Sequence, residues 1–304
     1  MPDERRDRPA YRPRAGAPGT SRRSQGVWDA VRDLVQDQES SLGRPLRVLD
    51  LGGGTGGLAV PLAELGHEVT VVDPSPNALA ALEQRAADAE VADRVHGRQG
   101  DADSIAHWGP GPSSTAADAS VAGAAASAAS AASAASVTAD ASGATRPSVS
   151  SEAYDLVCCH GVLEVVDDPA EALCGIAGVL APKGHLSLLV AGRLAVVLAK
   201  ALAGEVEQAT AALTSPDGRW GPTDPLPRRF DVAGLTALLD QTGFTTVQVH
   251  GIRVFADLVP SSALDSAADR AALGDLERAV TTHPHYAEAL GGLGTGLHAI
   301  AQRG

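Results

Sequence analysis

The chain has 304 residues, of which 44% are apolar and 20% are charged, and its formal net charge is −13 at pH 7. An acidic surface repels phosphate backbones, so we expect no broad binding to DNA. No run of about 18 apolar residues occurs and no apolar signal core is seen, so neither a membrane span nor secretion is expected. Three cysteines make no disulfide framework, which favours a cytoplasmic location.

The first 22 residues are rich in arginine and are interrupted by proline and glycine. Such a segment buries too little apolar surface to fold, so a disordered basic tail is predicted over residues 1–22. A helix is predicted next, because apolar side chains recur on one helical face between Gly26 and Gln36.

A glycine-rich stretch, L-R-V-L-D-L-G-G-G-T-G-G, covers residues 46–57. It predicts a short buried strand reaching Asp50, a glycine turn and a helix, and such a turn lets backbone and free N–H donors approach a ligand. Gly52, Gly54 and Gly57 match the dinucleotide pattern G-x-G-x-x-G. The acid two positions before the first glycine instead resembles the D-x-G-x-G arrangement of S-adenosylmethionine-dependent methyltransferases. A carboxylate would repel a diphosphate, which favours the methyl donor, and a purely structural turn is the third alternative.

Two further strands follow, each closed by acidic residues. The strand His67–Asp73 ends about twenty residues after the glycines, where an acid binds ribose hydroxyls in both classes of nucleotide-binding protein. The strand Arg94–Gln99 is followed by Asp101, in the region that meets the adenine in methyltransferases of this class. Asp101 is therefore interpreted as an acceptor for the adenine amino group or as the N-cap of a following helix, and both roles can hold.

Residues 110–151 consist mainly of alanine, serine, glycine and threonine, which predicts a disordered insertion. Order is predicted to resume with the continuously apolar strand Tyr154–His160, whose pattern indicates a parallel strand buried on both faces. A helix over 170–180, a turn at Pro182–Gly184 and a strand His185–Val190 complete five alternations. The alternations predict the doubly wound α/β class, with ligands at the carboxyl ends of the strands.

The rest of the chain departs from simple alternation. Two amphipathic helices between Arg193 and Leu213 and a Pro/Gly loop predict a helical lid at about residues 192–230. The elements predicted after it are a helix over 231–242 capped by Asp231, a strand Phe244–Asp257, a helix Leu264–Thr281 and a last strand Gly296–Arg303.

Four segments resemble motifs of class I S-adenosylmethionine-dependent methyltransferases: V-L-D-L-G-G-G-T-G, V-V-D-P-S, G-D-A-D and Y-D-L-V-C-C-H-G-V-L-E-V-V-D-D-P. The last of them, with G-I-R-V-F-A-D-L-V and L-G-T-G-L-H-A-I-A-Q-R, resembles the bacterial tRNA 5-carboxymethoxyuridine methyltransferase family, which methylates a carboxylate on a wobble uridine. The resemblance implies a methyltransferase domain over 23–304 with a Rossmann-like sheet of seven strands, the last one antiparallel. It also implies S-adenosyl-L-methionine as cofactor, bound by Arg23, Asp50, Gly52, Gly53, Gly54, Asp73, Pro74, Asp101, Ala102 and His160.

Two departures from that family leave the acceptor open. Val165 stands where the family has a tryptophan, and the lid lacks a lysine cluster that would meet an RNA backbone. The expected acceptor is therefore an oxygen, such as a carboxylate, or a nitrogen on a small molecule or on a modified tRNA uridine. An NAD(P)-dependent oxidoreductase and a non-catalytic S-adenosylmethionine-binding protein are the alternatives.

The chemistry of methyl transfer asks mainly for alignment of the reacting atoms, and a carboxylate acceptor needs no general base. No catalytic residue is assigned, and no metal site is expected. Arg253 is a candidate contact for an anionic substrate, with an ion pair to Asp257 as the alternative. His160 is expected to contact the donor or the substrate, or to be an internally satisfied polar residue.

Overall fold

The structure is a computed structural model that describes residues 22–103, 105 and 153–304. The predicted insertion at 110–151, and the predicted tail apart from Arg22, lie outside the described residues. The strands are β1 (Arg47–Leu51), β2 (Glu68–Asp73), β3 (Val95–Gln99), β4 (Tyr154–His160), β5 (Leu180–Ala191), β6 (Phe244–Ile252) and β7 (Gly296–Arg303). The helices are α1 (Arg22–Leu42), α2 (Ala59–Glu64), α3 (Pro76–Asp88), α4 (Pro169–Val179), α5 (Arg193–Leu202), α6 (Val206–Thr214), α7 (Val232–Gln241), α8 (Ala267–Thr282) and α9 (Ala287–Gly291).

The described strands form one sheet with the order β3-β2-β1-β4-β5-β7-β6. Strand β7 runs antiparallel to both of its neighbours, β5 and β6, whereas the other pairs are parallel. The predicted α/β class with seven strands and an antiparallel last strand is thus confirmed. The strand order reverses between β1 and β4, and ligands of doubly wound sheets bind in the crevice at such a point.

Alternate side chains of the central strands supply two cores, one on each face of the sheet. Val157 and Cys159 of β4 belong to the core beneath α4 and α7, while Leu156 and Cys158 belong to the core beneath α1, α2 and α3. The adjacent cysteines therefore point to opposite faces, as predicted, and burial raises the pKa of both thiols. Helix α1 covers its face with Val27, Val31 and Val35, and each such side chain contributes roughly 1.5–3 kcal/mol when buried.

Strand β5 begins earlier than predicted, because the expected turn at Pro182–Gly184 lies inside its span. Tyr154 of β4 pairs with Leu180 and Leu156 pairs with His185, so the residues between form an irregularity in the register. Lys183 there has a left-handed φ of 62°. The turn residues thus form a bulge within β5, and the strand begins before them.

Strand β6 is shorter than predicted, and its end is set by a distant residue. The carboxylate of Glu277 on α8 accepts the backbone N–H groups of Val254, Phe255 and Ala256, at 2.9, 2.8 and 2.8 Å. These bonds hold the chain in a turn where the alternating pattern predicted more strand. Within the described ranges, no helix is both long and apolar enough to cross a bilayer.

Candidate cofactor and acceptor site

The glycine turn after β1 adopts a backbone that other residues would not accept. Gly52 and Gly54 have φ values of +72° and +58°, in the left-handed region. A Cβ on Gly52 would overlap Val162, in the loop after β4, and a Cβ on Gly53 would overlap the Asp50 carboxylate. The loops after the two central strands are therefore in close contact, at the point where the strand order reverses.

Asp73, at the end of β2, holds this turn in place. Its Oδ2 accepts the N–H of Gly54 at 3.0 Å, and its Oδ1 accepts the N–H of Ser75 at 2.9 Å. A carboxylate offers about four acceptor sites, so capacity remains for two hydroxyl donors. Asp73, the acid predicted to bind the ribose hydroxyls, thus lies at the glycine turn with acceptor sites that suit a diol.

Asp50 is the most unusual group of the site. Its side chain is 3% exposed, and its Oδ2 is buried without a hydrogen-bond partner among the described residues. Burial, and secondarily the charge of Asp73, raise the pKa of Asp50 to about 7. A buried carboxylate of this kind matches a ligand that carries positive charge, as a sulfonium amino acid does, and it opposes a diphosphate.

The ends of β3 and β4 complete the group of predicted cofactor residues. The N–H of Gly100 donates to the carbonyl of Asp73 at 3.3 Å, which places exposed Asp101 and buried Ala102 beside the end of β2. Exposed Pro74 follows Asp73 directly, and partly buried His160 ends β4. The helix that Asp101 was predicted to cap lies outside the described residues.

Two of the predicted site residues stand apart from this group. The backbone of Arg23 lies in the first turn of α1, and its side chain is outside the described part of the chain. Arg253 follows the edge strand β6, has a left-handed φ of 58°, and donates from Nε to Asp257 at 3.2 Å. The structure therefore contains the ion pair that was the alternative to a substrate contact for Arg253.

His160 is held by an internal partner. Its Nε2 lies 2.9 Å from the hydroxyl of Ser187 on β5. Burial lowers the pKa of His160 to about 4, so the ring is neutral near pH 7. Nε2 of His160 thus has a partner within the fold.

A small open cleft of about 110 Å³ lies beside the end of β4. The side chains that line it are apolar apart from Glu164, and the lining residues include Gly161, Val165, Leu189, Ala191 and Leu226. The Glu164 side chain is 5% exposed, and its Oε1 accepts the N–H of Ala191 at 2.7 Å. Sequence reasoning did not single out Glu164, although an acid within the apolar run from Val162 to Val166 was a visible signal.

The predicted helical segment at 192–230 contains α5, α6 and a long loop, and it leaves and rejoins the sheet at one point. The N–H of Phe230 donates to the carbonyl of Ala191 at 2.9 Å, and the N–H of Arg193 donates to the carbonyl of Phe230 at 2.7 Å. Leu226 of this segment lines the cleft. A role as a substrate lid stays a prediction.

All five basic side chains of residues 192–230 have internal partners. The partners are carbonyls for Arg193, Arg219 and Arg228, the Glu205 carboxylate and the Trp220 ring for Lys200, and the Asp224 carboxylate for Arg229. Four of these cations therefore hold the segment together, and Arg228 joins it to the loop after β4.

The buried ion pair between Arg229 and Asp224 predicts a large loss of stability when it is broken. The two side chains are 8% and 0% exposed and are joined by two hydrogen bonds of 2.6 and 2.9 Å. Burial alone would raise the pKa of Asp224, but these bonds and two backbone N–H donors lower it. We expect Arg229→Met to reduce the free energy of unfolding in urea at pH 7 by about 3 kcal/mol, because it leaves a buried charge unpaired.

Two controls separate this effect from a general loss of charge. Arg278→Met removes the exposed pair with Asp275, 72% exposed on both sides, and should change stability by less than about 1 kcal/mol. Adding Asp224→Asn to Arg229→Met should restore part of the loss, because the amide removes the unpaired charge and keeps an oxygen for the backbone N–H groups of Trp220 and Leu226. Equal effects of the two arginine substitutions would contradict the prediction.

A family model described as a methyltransferase domain matches residues 22–249 of this chain. The chain belongs to this methyltransferase family. S-adenosylmethionine is accordingly the cofactor, and the residues at the ends of β1 and β2 suit it: a glycine turn that a Cβ would block, a ribose-type acid and a buried carboxylate with an unused oxygen. Among the described residues of the methyltransferase, no group of three His, Cys, Asp or Glu side chains is arranged to hold a metal ion.

Relatives of the methyltransferase differ in what their names say they modify. The tRNA 5-carboxymethoxyuridine methyltransferase of Escherichia coli K12 is 28% identical over 212 residues, which are 70% of this chain and 64% of that protein. The ubiquinone biosynthesis O-methyltransferase of Azorhizobium caulinodans is 42% identical over 82 residues, 26% of this chain and 31% of that protein. The solved structure of the CurJ carbon methyltransferase matches with a TM-score of 0.51 at 16% identity, covering 93% of this chain and 56% of that one, and shows the shared fold. The methyltransferase thus aligns with less than two thirds of the length of the curated relatives.

Proposed function

We propose that the chain transfers a methyl group from S-adenosylmethionine to an oxygen of a small molecule, and that the acceptor oxygen is a hydroxyl. The observation that carries the proposal is the cleft beside the end of β4, in which the buried Glu164 is the one charged side chain among the apolar ones of the described lining residues. An anionic acceptor would be repelled by the negative charge of a carboxylate at this position, whereas a hydroxyl can donate a hydrogen bond to its oxygen. The relative from Azorhizobium caulinodans is by its name an O-methyltransferase, which supports an oxygen acceptor.

In this proposal the cofactor lies across the carboxyl ends of β1, β2 and β4. Asp73 accepts the ribose hydroxyls, Asp50 faces the positive charge of the amino-acid part, and Gly52–Gly54 allow close backbone approach. Pro74, Asp101 and Ala102 line the nucleoside side, while Arg23 and His160 contact the ligand from α1 and β4. The assignment of Arg23 rests on the sequence resemblance alone and the others on the placement of the residues. Cofactor titration of single variants tests each of them.

The cofactor supplies a methyl group activated by a sulfonium, so the chain's task is to align the acceptor and exclude water. The apolar side chains that line the cleft exclude water. Glu164 can accept the proton of the acceptor hydroxyl, held in place by its bond from the Ala191 N–H. Segment 192–230 contributes Leu226 to the wall of the cleft, which supports its proposed role as a lid.

We expect Glu164→Gln to lower kcat/KM for a hydroxyl acceptor by about 100-fold, because the amide cannot take the proton. The affinity for S-adenosylhomocysteine should change less than about threefold, since the substitution keeps an oxygen for the Ala191 N–H. Initial rates with labelled cofactor and calorimetry measure the two quantities. A variant with unchanged kcat/KM would exclude Glu164 as the base.

A modified uridine of tRNA is the second candidate acceptor, and the similarity over 212 residues to the tRNA enzyme favours it. Against it stand the five basic side chains of 192–230, which are engaged internally rather than presented to a phosphate backbone. Arg253 keeps the role of a proposed contact for an anionic acceptor in this version. A cytoplasmic location remains an expectation in both versions.

Incubation of the protein with S-adenosylmethionine labelled in the methyl group, and with separate tRNA and metabolite fractions from the source cells, tests the proposal. We expect label in the metabolite fraction, in a product resistant to the mild alkali that hydrolyses methyl esters. Alkali-labile label in tRNA would favour the second candidate, and tight cofactor binding with label in neither fraction would favour a non-catalytic role. The Asp73→Ala variant serves as the inactive control.

A further inference from the structure

Four polar side chains from four neighbouring strands form one hydrogen-bonded series beneath α1. Nε2 of His160 on β4 lies 2.9 Å from Oγ of Ser187 on β5, and this Oγ lies 2.8 Å from Nε2 of His298 on β7. Nδ1 of His298 in turn lies 3.3 Å from Nε2 of His250 on β6. We name these four residues the histidine–serine chain.

The register of the sheet explains why these residues meet. Leu189 pairs with His160 on one side and with His298 on the other, and His298 pairs with His250. Ser187, two residues before Leu189, shares its face of β5 and bridges the two rings. The series therefore runs across the sheet from the cofactor site to the edge strand β6.

The three imidazole rings of the histidine–serine chain are neutral near pH 7. Burial lowers the pKa of His160, His250 and His298, and for His298 the two other histidines lower it further. Ser187 and His298 are 0% exposed. Each neutral ring then has one N–H and one lone pair, so the direction of the bonds can be worked out by counting hydrogens.

Four hydrogens are available for three links, so one remains for an end of the chain. If the bonds run from His160 toward His250, the spare hydrogen lies on Nδ1 of His250. If they run the other way, it lies on Nδ1 of His160. A third pattern, in which both neighbouring rings donate to Ser187, leaves the buried hydroxyl hydrogen without an acceptor in the chain.

The environment of His250 decides between the two continuous directions. Its Nδ1 is buried and has no hydrogen-bond partner among the described residues. A buried N–H without an acceptor is among the rarest features of native structures, because the full desolvation cost of the donor is not recovered. An unprotonated nitrogen at that position avoids a stranded donor.

We infer that, in the histidine–serine chain, His250 donates to His298, His298 donates to Ser187 and Ser187 donates to His160. These bonds hold His160 as the tautomer with hydrogen on Nδ1. Ser187 and His298 are then positioning residues, and His160 presents a fixed hydrogen-bond donor at the end of β4. That donor would select an acceptor atom of the ligand, such as a carboxylate oxygen of the amino-acid part of the cofactor. This role rests on the proposed cofactor site.

The tautomer can be read directly in the ligand-free protein by ¹⁵N correlation spectroscopy of the histidine rings at pH 7.5. We expect His160 to carry hydrogen on Nδ1, whereas free neutral histidine mostly carries it on Nε2. Assignment uses His160→Gln. Hydrogen on Nε2 of His160 in the wild-type protein would overturn the inference, whatever the protein binds.

The positioning role is tested by Ser187→Ala, with His298→Gln as a second variant. Loss of the hydroxyl link should return His160 to a mixture of tautomers and weaken S-adenosylhomocysteine binding about 10-fold, the effect of one hydrogen bond. The matched control is His185→Gln, a buried histidine on the same strand that belongs to no link of the chain. It should leave the His160 tautomer and the affinity unchanged.

The outcomes separate this inference from the proposed function. Altered His160 tautomers with unaltered affinity in both variants would overturn the positioning role. Wild-type protein that binds no S-adenosylhomocysteine would overturn the cofactor site and the ligand contact of His160, while the spectrum of the ligand-free protein would still decide the direction of the chain.

Discussion

Replacing Asp73 by alanine is expected to weaken S-adenosylhomocysteine binding about 1,000-fold. The substitution removes the charged acceptor for two ribose hydroxyls, and a hydrogen bond to a charged group contributes about 1.5–3 kcal/mol. It also frees the N–H groups of Gly54 and Ser75, which Asp73 now accepts at 3.0 and 2.9 Å. The glycine turn therefore loses its fixed shape as well as its ligand contact.

Isothermal calorimetry measures this loss, with Asp93→Ala as the control because Asp93 is exposed and lies between α3 and β3. Asp73→Asn refines the test, since the amide keeps one acceptor oxygen for the turn. Its affinity should fall between those of the wild type and of Asp73→Ala. Binding by Asp73→Ala within tenfold of the wild type would remove Asp73 from the site.

The second large effect concerns the pH dependence of stability in the ligand-free protein. The pKa of Asp50 is raised from 3.8 to about 7 in the folded state. Between these values the folded protein binds a proton that the unfolded chain has lost, so Asp50 makes stability fall as pH rises. The amide that Asp50→Asn introduces does not titrate. Relative to the wild type, the free energy of unfolding of Asp50→Asn should therefore increase by about 4 kcal/mol from pH 4 to pH 8.

The buried histidines act in the opposite direction, because their lowered pKa values make stability fall as pH decreases below 6.5. They are present in both proteins, so their contribution cancels in the difference. Urea unfolding across the pH range gives both curves, and the exposed Asp240→Asn is the control. Parallel curves for Asp50→Asn and the wild type would show that Asp50 ionises normally.

Cofactor binding should reverse the protonation of Asp50. A positive charge near the carboxylate lowers its pKa, so S-adenosylmethionine binding at pH 7 is expected to release about half a proton per site. Calorimetry in two buffers with different ionisation enthalpies counts the proton, and Asp50→Asn should release none.

Much of the fold follows from local pattern. Strands β4 and β7 have the predicted bounds, since each contains a run of mainly apolar residues that ends in polar ones. Asp231 caps α7 as predicted, accepting the N–H of Gly234 at 2.8 Å. The glycine turn and the acid at the end of β2 were visible because a strand, a turn and a helix are contiguous in sequence.

The remainder depends on contacts between distant residues. The end of β6 is determined by Glu277, which lies well inside a later helix, and no pattern within β6 announces it. The link of His160 to Ser187 and His298 needs the register of three strands to be known. Polar residues at alternate positions of an apolar strand, such as His185 and Ser187, were the only local sign.

The meeting of Ala191, Arg193 and Phe230 has a consequence for engineering. Backbone hydrogen bonds of 2.9 and 2.7 Å join the two ends of segment 192–230, so the segment leaves and re-enters the fold at adjacent positions. The corresponding segment of another family member could be inserted at the same two junctions, while the sheet and the glycine turn keep their own sequence. Under the proposed lid role, such a chimaera is expected to methylate a different acceptor while its affinity for S-adenosylmethionine stays unchanged.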